Sequence, residues 1–201
     1  MNSSIALFSG LAALAWLGII VLLHFIKPAL DPRARMISEY AREPRGWIMQ
    51  LAFLCVTLSC WAFVISAWDL LPHFGLVLLA ICGIGFAGAG VFVTDPVLIT
   101  LGAFTRSGFL HVAFAFLVIM LFPLAATLVG LGMIGNAAWA SIHAWLPILC
   151  ILTWVGLIAF IIASAYQRKR EETPVGYFQR FMILTYSVWL VVAGFATSIV
   201  V

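Results

Sequence analysis

A serine, an aspartate and a histidine, Ser38, Asp95 and His111, are the residues of this sequence whose types could do chemistry together. An imidazole can act as general base, a carboxylate can orient it, and a hydroxyl can be a nucleophile or hold a ligand in place. Glu39 is a second carboxylate for the orienting role. His24 and Lys27 lie one helical turn apart, and His111 lies one turn after Ser107, so two imidazoles and a carboxylate are also available to a metal. The usual metal spacings, HxxxH and HExxH, are absent, and no metal or other cofactor is expected. The plainer reading of each histidine is a hydrogen-bonded side chain at a membrane interface. His73 and His143 rank below His24 and His111.

The elements that would have to bring these residues together are membrane helices. The chain is 65% hydrophobic and 8% charged, with a mean hydropathy of +1.20. Soluble domains use roughly 45 to 50% apolar residues. A hydrocarbon core of about 30 Å calls for about 20 apolar residues per helix. Such runs occur at Ile5 to Ile26, Trp47 to Trp68, Phe74 to Thr94, Gly108 to Gly130, Ala144 to Tyr166 and Phe181 to Val200. They predict an all-α, polytopic bundle of six transmembrane helices, one domain over residues 1–201. A barrel would need alternating polarity over about 10 residues, which these runs lack.

The ten basic residues are Lys27, Arg33, Arg35, Arg42, Arg45, Arg106, Arg168, Lys169, Arg170 and Arg180. On these spans all of them fall in connectors one, three and five, which share one side. The positive-inside rule then puts those connectors in the cytoplasm and both termini outside, as expected of a multi-pass protein of the inner, plasma membrane. Lys27 is the first positive charge and follows the first apolar run, the order of a retained anchor rather than a cleaved signal. Trp68, Trp139 and Trp145 are expected at the outer interface, and Trp47, Tyr166 and Tyr177 at the inner one. The net charge of +3 then reports topology and contact with anionic lipid, not nucleic acid.

The first connector holds Asp31-Pro32, a helix-start pair. From Pro32 to Glu43, Met36, Ile37, Tyr40 and Ala41 share one helical face, which predicts a short interfacial helix stopped by Pro44. Spacing allows ion pairs of Asp31 with Arg35, and of Glu39 with Arg35 and Arg42. Thr94-Asp95-Pro96 repeats the cap-and-proline device before a second short segment, Pro96 to Phe104, and Thr173-Pro174 is a weaker third version.

Span three contains Gly83 to Gly88, a GxGxxG in letters. A dinucleotide site needs a preceding strand and an exposed helix start, so these glycines are read as helix-packing residues. Cys55, Cys60, Cys82 and Cys150 have no CxxC spacing and read as small core residues. Trp16, Trp61, Trp154 and Trp189 fall near mid-span, in core packing or lining an apolar cavity. Mid-span acidic and basic residues are absent, which weighs against a proton- or sodium-coupled carrier.

The connector "KPALDPRARMISEY" followed by "GW", the "TDP" after span three and "GFLHVAFAF" opening span four resemble the prokaryotic membrane-protein family catalogued as domain of unknown function 998. The resemblance implies a bundle of about six helices and supplies no reaction. Its matching residues are Asp31, Ser38, Glu39, Tyr40, Asp95 and His111. Three functional readings follow. The first is a binding protein for a lipid headgroup or small polar ligand at a cytoplasmic-side pocket. There Asp31 and Asp95 order the connectors, Arg33 and Arg35 meet phosphate, and Ser38, Glu39, Tyr40 and His111 form a polar floor. The second is a membrane-embedded lipid hydrolase or transferase using Ser38, Asp95 and His111. The third is a structural or accessory subunit packed against other membrane proteins, favoured if the glycine stripe of span three faces lipid. Transport of a neutral solute ranks fourth.

Overall fold

The computed structural model describes residues 2–96, 105–167 and 174–200, and the six apolar runs are helices: α1 (Asn2–Ile26), α2 (Trp47–Ala67), α3 (His73–Val91), α4 (Arg106–Ile134), α5 (Leu146–Gln167) and α6 (Val175–Val200). No strand occurs among the described residues. Each helix is long and apolar enough to cross a membrane. The shortest, α3 with 19 residues, is about 28 Å long at 1.5 Å per residue. The chain is therefore a multi-pass membrane protein, since helices that satisfy their own backbone are one of the two architectures that can span a bilayer.

Consecutive helices pack on each other, and α6 closes the ring against α1. Polar pairs give the register of that closure along its length. Ser3 Oγ donates to Ser198 O at 2.7 Å, Trp16 Nε1 to Ser187 Oγ at 3.0 Å, and Arg180 Nε to His24 Nε2 at 2.9 Å. The two helices thus run antiparallel, with both chain ends at one end of the bundle and the first, third and fifth connectors at the other. The core is aromatic at its centre. Phe122 stacks on Tyr186 at 4.4 Å between centroids, and Trp189 sets its edge against Phe63 and Phe122. Of the four mid-span tryptophans, Trp16 and Trp189 are buried. Trp61 and Trp154 lie at the bundle surface, donating to Ala80 O and Thr127 Oγ1.

The glycine stripe of α3 lies inside the bundle, not towards lipid. A Cβ on Gly83 would meet Trp61, one on Gly85 or Gly88 would meet Phe114 and its neighbours on α4, and one on Gly90 would meet Phe53. Small residues here let α3 sit close to α2 and α4.

The structure corrects several expectations. α6 begins at Val175 rather than Phe181, and α4 runs from Arg106 to Ile134, so Arg106 and Arg180 belong to helices rather than connectors. The interfacial helix expected over Pro32 to Glu43 is a turn at Asp31 followed by a 3-10 turn over Ile37–Ala41. Trp139, expected at the outer interface, faces the core instead: it lies within a second 3-10 turn, Ala137–Ile142, is fully buried, and donates to Thr197 Oγ1. The segment expected after Pro96 and the basic run from Arg168 lie outside the described residues.

Close packing at α3 generates the first prediction. Gly88→Leu drives a side chain into the Phe114 ring, 2.2 Å from where its Cβ would sit, and should lower stability in detergent by about 1–3 kcal/mol or more. Gly18, with nothing within 4 Å of its Cβ position, should accept Ala with no loss, and thermal unfolding of the two variants checks the contrast.

Candidate functional site

At the charged end of the bundle, irregular backbone must find partners at the edge of a water-poor region. In the first connector they come from α6. Gly176 N donates to Arg33 O at 2.7 Å, and Arg180 Nη1 donates to Pro32 O at 2.9 Å and Arg35 O at 2.7 Å. Arg180 Nη2 reaches the Tyr40 hydroxyl at 3.3 Å. Its Nε is accepted by His24 Nε2, whose ring is fixed because Nδ1 donates to Ile20 O at 2.8 Å. One guanidinium thus binds α1, the connector and α6. A Cβ on Gly176 would lie 2.4 Å from Pro32 O and 2.5 Å from Arg35 O, so the approach depends on glycine.

These tertiary bonds explain why the predicted helix is not formed. The carbonyls of Pro32, Arg33 and Arg35 face α6 instead of accepting along a helix axis. The charges settle locally. Asp31 pairs with Arg33 at 3.1 Å, not with Arg35, and also accepts from the Arg33 backbone N–H. That N–H, and then the guanidinium, hold the Asp31 carboxyl below the usual aspartate range. Arg35 pairs with Glu39 at 3.1 Å, as spacing predicts. The buried Glu39 carboxylate also accepts from Met36 N at 3.0 Å. Arg42 meets Glu39 through its backbone N–H, on Glu39 O. Lys27 donates to Tyr40 O at 2.8 Å and to Arg42 O. Burial lowers its pKa, with Glu43 opposing the shift and Arg42 adding to it.

The step from α3 to α4 is built the same way. Asp95 accepts from Thr105 N at 2.9 Å and from Thr105 Oγ1 at 3.0 Å, while Thr105 Oγ1 caps α4 by accepting from Gly108 N. The carbonyls at the end of α3 lack partners of their own. Gln50 Nε2 donates to Gly90 O, Ser107 Oγ to Val93 O, and His111 Nδ1 to both Ala89 O and Phe92 O at 2.9 Å. The two carbonyl contacts require the proton of the neutral imidazole to sit on Nδ1. Nε2 then carries a lone pair, and no hydrogen bond from the described residues reaches it.

Between α4, α6 and the 3-10 turn lies a cavity of about 50 Å³. Trp16, Phe53, Phe86, Val118 and Met182 give it apolar walls, and its polar lining is Ser38, His111 and Gln179. His111 is 4% exposed. Ala115 and Ile119 on α4 and Ile183 on α6 are half-buried, so the cavity opens along the seam of these helices. Gln179 was not singled out in the sequence. Its Oε1 accepts from Ile37 N at 2.6 Å, which fixes the 3-10 turn and turns the amide N–H groups the other way.

Among the candidates, the structure brings Ser38 and His111 to one cavity. It does not join Asp95 to them: Asp95 is engaged with Thr105, and backbone carbonyls orient His111 instead. Glu39 and Tyr40 are buried behind the cavity lining, in bonds to Arg35, Met36 and Arg180. Asp31, Arg33 and Arg35 sit in the connector and do not line the cavity. Among the described residues, no cluster could hold a metal ion.

A helical membrane protein whose first connector, Asp95 step and α4 start have these roles is the class the fold defines. The chain belongs to the family described as protein of unknown function (DUF998), which it matches over residues 11–196. Neither the curated proteins nor the solved structures yield a match.

The Arg180 hub generates the second prediction. Each hydrogen bond to a charged group contributes about 1.5–3 kcal/mol. Arg180→Met should therefore let the connector open and speed tryptic cleavage after Arg33 or Arg35 by at least about tenfold. Gly176→Ala should do so to a smaller degree, and mass spectrometry of the fragments is the readout.

Proposed function

We propose that the chain binds a lipid headgroup or a small polar ligand in the cavity between α4, α6 and the 3-10 turn, on the cytoplasmic side of the plasma membrane. The orientation rests on the ten basic residues, all of which lie in the first, third and fifth connectors of the sequence or on the helix ends that border them. The observation that carries the reading is the junction of Ser38 and His111, distant in sequence, at one apolar-walled opening. A concave, mostly apolar site with a few convergent polar groups is the usual form of a ligand site. At about 50 Å³ it falls below the roughly 300 Å³ at which sites for whole drug-sized ligands begin. It therefore takes one end of a molecule, with the remainder left in the membrane. Membrane lipids are the natural partners.

The connector's roles differ from a phosphate clamp. Asp31 and Asp95 bond within their own segments, to Arg33 and Thr105, while Arg33 and Arg35 are committed to Asp31 and Glu39. Packing against other membrane proteins through the α3 glycines loses support, because those glycines are used within the bundle.

A second reading, hydrolysis or transfer on a lipid, draws on the open Nε2 of His111 in a cavity shared with Ser38. It lacks a carboxylate behind the imidazole, so a base there would work without the charge that normally stabilises an imidazolium.

Filling the cavity tests the proposal. Ala115→Phe should leave the bundle folded, because the new ring enters the opening, and should abolish a lipid or small-molecule adduct seen by native mass spectrometry of wild type extracted in native membrane. An adduct retained by Ala115→Phe, or none on wild type, counts against it.

A further inference from the structure

We infer that the ligand's polar end is an uncharged hydroxyl, so that the cavity takes a neutral membrane alcohol rather than a phosphate-bearing headgroup. The inference deepens the reading of the cavity as a binding site and rests on it. The polar lining consists of Ser38, His111 and Gln179, and none of the three carries a formal charge in the arrangement described. His111, a lining residue, has its one proton on Nδ1, held by Ala89 O and Phe92 O, which leaves the Nε2 lone pair as what the ring can offer a ligand. A group seated there must donate a hydrogen bond. Gln179 has its Oε1 engaged by Ile37 N, and its amide N–H groups are unspent among the described residues. Ser38 Oγ can give or accept. One acceptor, one donor amide and one ambivalent hydroxyl match a group that both donates and accepts, which is what an alcohol does.

Charge excludes the alternatives. Of the basic side chains around the cavity, Arg33 and Arg35 are paired with carboxylates, Lys27 and Arg180 are spent on backbone carbonyls, Tyr40 and His24, and Arg42 and Arg106 are exposed and do not line it. A phosphate or carboxylate would enter an apolar pocket against the lone pair of Nε2, with no cation among the described residues lining it, and desolvation would go uncompensated. An ammonium fares no better, because Glu39, the buried carboxylate of the connector, is engaged by Arg35 and Met36 N and does not line the cavity. A hydroxyl loses little on entering, because its bonds to water are replaced. The cavity's small volume suits a hydroxymethyl end, while the seam at Ala115, Ile119 and Ile183 leads its hydrocarbon out of the bundle.

Two kinds of membrane alcohol share this chemistry: a diacylglycerol, with the hydroxyl beside two ester carbonyls, and a long-chain polyprenol, with the hydroxyl at the end of one chain. The experiment places full-length protein in phosphatidylcholine nanodiscs doped separately with diacylglycerol, polyprenol, phosphatidic acid, or diacylglycerol acetylated on its free hydroxyl. Binding is read by native mass spectrometry and by the ¹⁵N resonance of His111 Nε2, which moves when the lone pair accepts a hydrogen bond. The expected result is binding of at least one alcohol, with the ester-blocked lipid at least about tenfold weaker and the Nε2 resonance shifted by the alcohol alone. The tighter alcohol identifies the source. His111→Phe should weaken the alcohol without improving the blocked lipid, and the ligand series on wild type stands even if that variant fails to fold.

Phosphatidic acid binding as tightly as the alcohols, and blocked by Ala115→Phe, overturns the hydroxyl assignment while leaving the cavity a binding site. Absence of binding in all four arms also overturns it, and the native-membrane comparison of wild type with Ala115→Phe then decides the broader reading by itself.

Discussion

The charged end of this bundle depends on one cation that has no carboxylate partner among the described residues. Arg180 gives its N–H groups to three carbonyls, an imidazole nitrogen and a phenol. A guanidinium suits the task because its donors form a rigid, planar fork, where an ammonium would be a single point. Tyr40 lies beneath it, with the guanidinium carbon 5.8 Å from the ring centroid, and the His24 ring meets Tyr40 edge-on. Removing the guanidinium leaves the Pro32 and Arg35 carbonyls without this donor. The connector is therefore bound to α6 through its backbone, though it is not a helix.

What that tie positions is the floor of the cavity. Arg180 and Gly176 hold residues 32–35, and Gln179 holds Ile37, so α6 presents Ser38 to the opening from one side. α4 presents His111 from the other, and its placement comes from a separate need, the capping of α3. Asp95 secures the start of α4 through Thr105, and a Cβ on Gly108 would lie 2.0 Å from the Asp95 carboxylate. The aspartate, the glycine and the histidine thus form one device that ends a helix and starts the next. His111 is structural through Nδ1 and available through Nε2, and the two roles do not compete.

Much of the fold was legible in the sequence because the bilayer imposes a one-dimensional rule: each span must be long and apolar, whatever it packs against. The six spans and the common side of their charges follow from that rule alone. Boundaries did not, because Val175 to Arg180 are polar enough to read as connector and yet form the first turns of α6, where Gly176 and Arg180 bond to the first connector. The same reason hid Arg180 and Gln179. Their partners are more than 130 residues away in sequence, and no local spacing encodes such a pair. Amphipathic periodicity from Pro32 to Glu43 pointed to a helix, and that signal was overridden by carbonyls that bond better across the bundle. His111 and Ser38 stood out as polar groups beside apolar runs. Their convergence, and the separation of Asp95 from them, required the fold.

The arrangement separates charge into two layers. Towards water, Asp31 with Arg33 and Arg35 with Glu39 neutralise each other within the connector, while Lys27 and Arg180 are absorbed by backbone oxygens. One layer deeper, the groups left open are a neutral imidazole, an amide and a hydroxyl in apolar walls. Had the arginines faced the cavity, their fields would have favoured anions and protonated nothing at His111. Because they are paired, the potential at Nε2 is set by the imidazole's own lone pair and by the α3 carbonyls behind Nδ1, which hold the proton away from the cavity. Those carbonyls are the negative end of the α3 dipole, and they raise the acceptor strength of Nε2 by drawing on the N–H opposite it. The selectivity for a hydrogen-bond donor proposed for this cavity thus follows from how α3 is capped, and it needs no residue beyond those that close the helix.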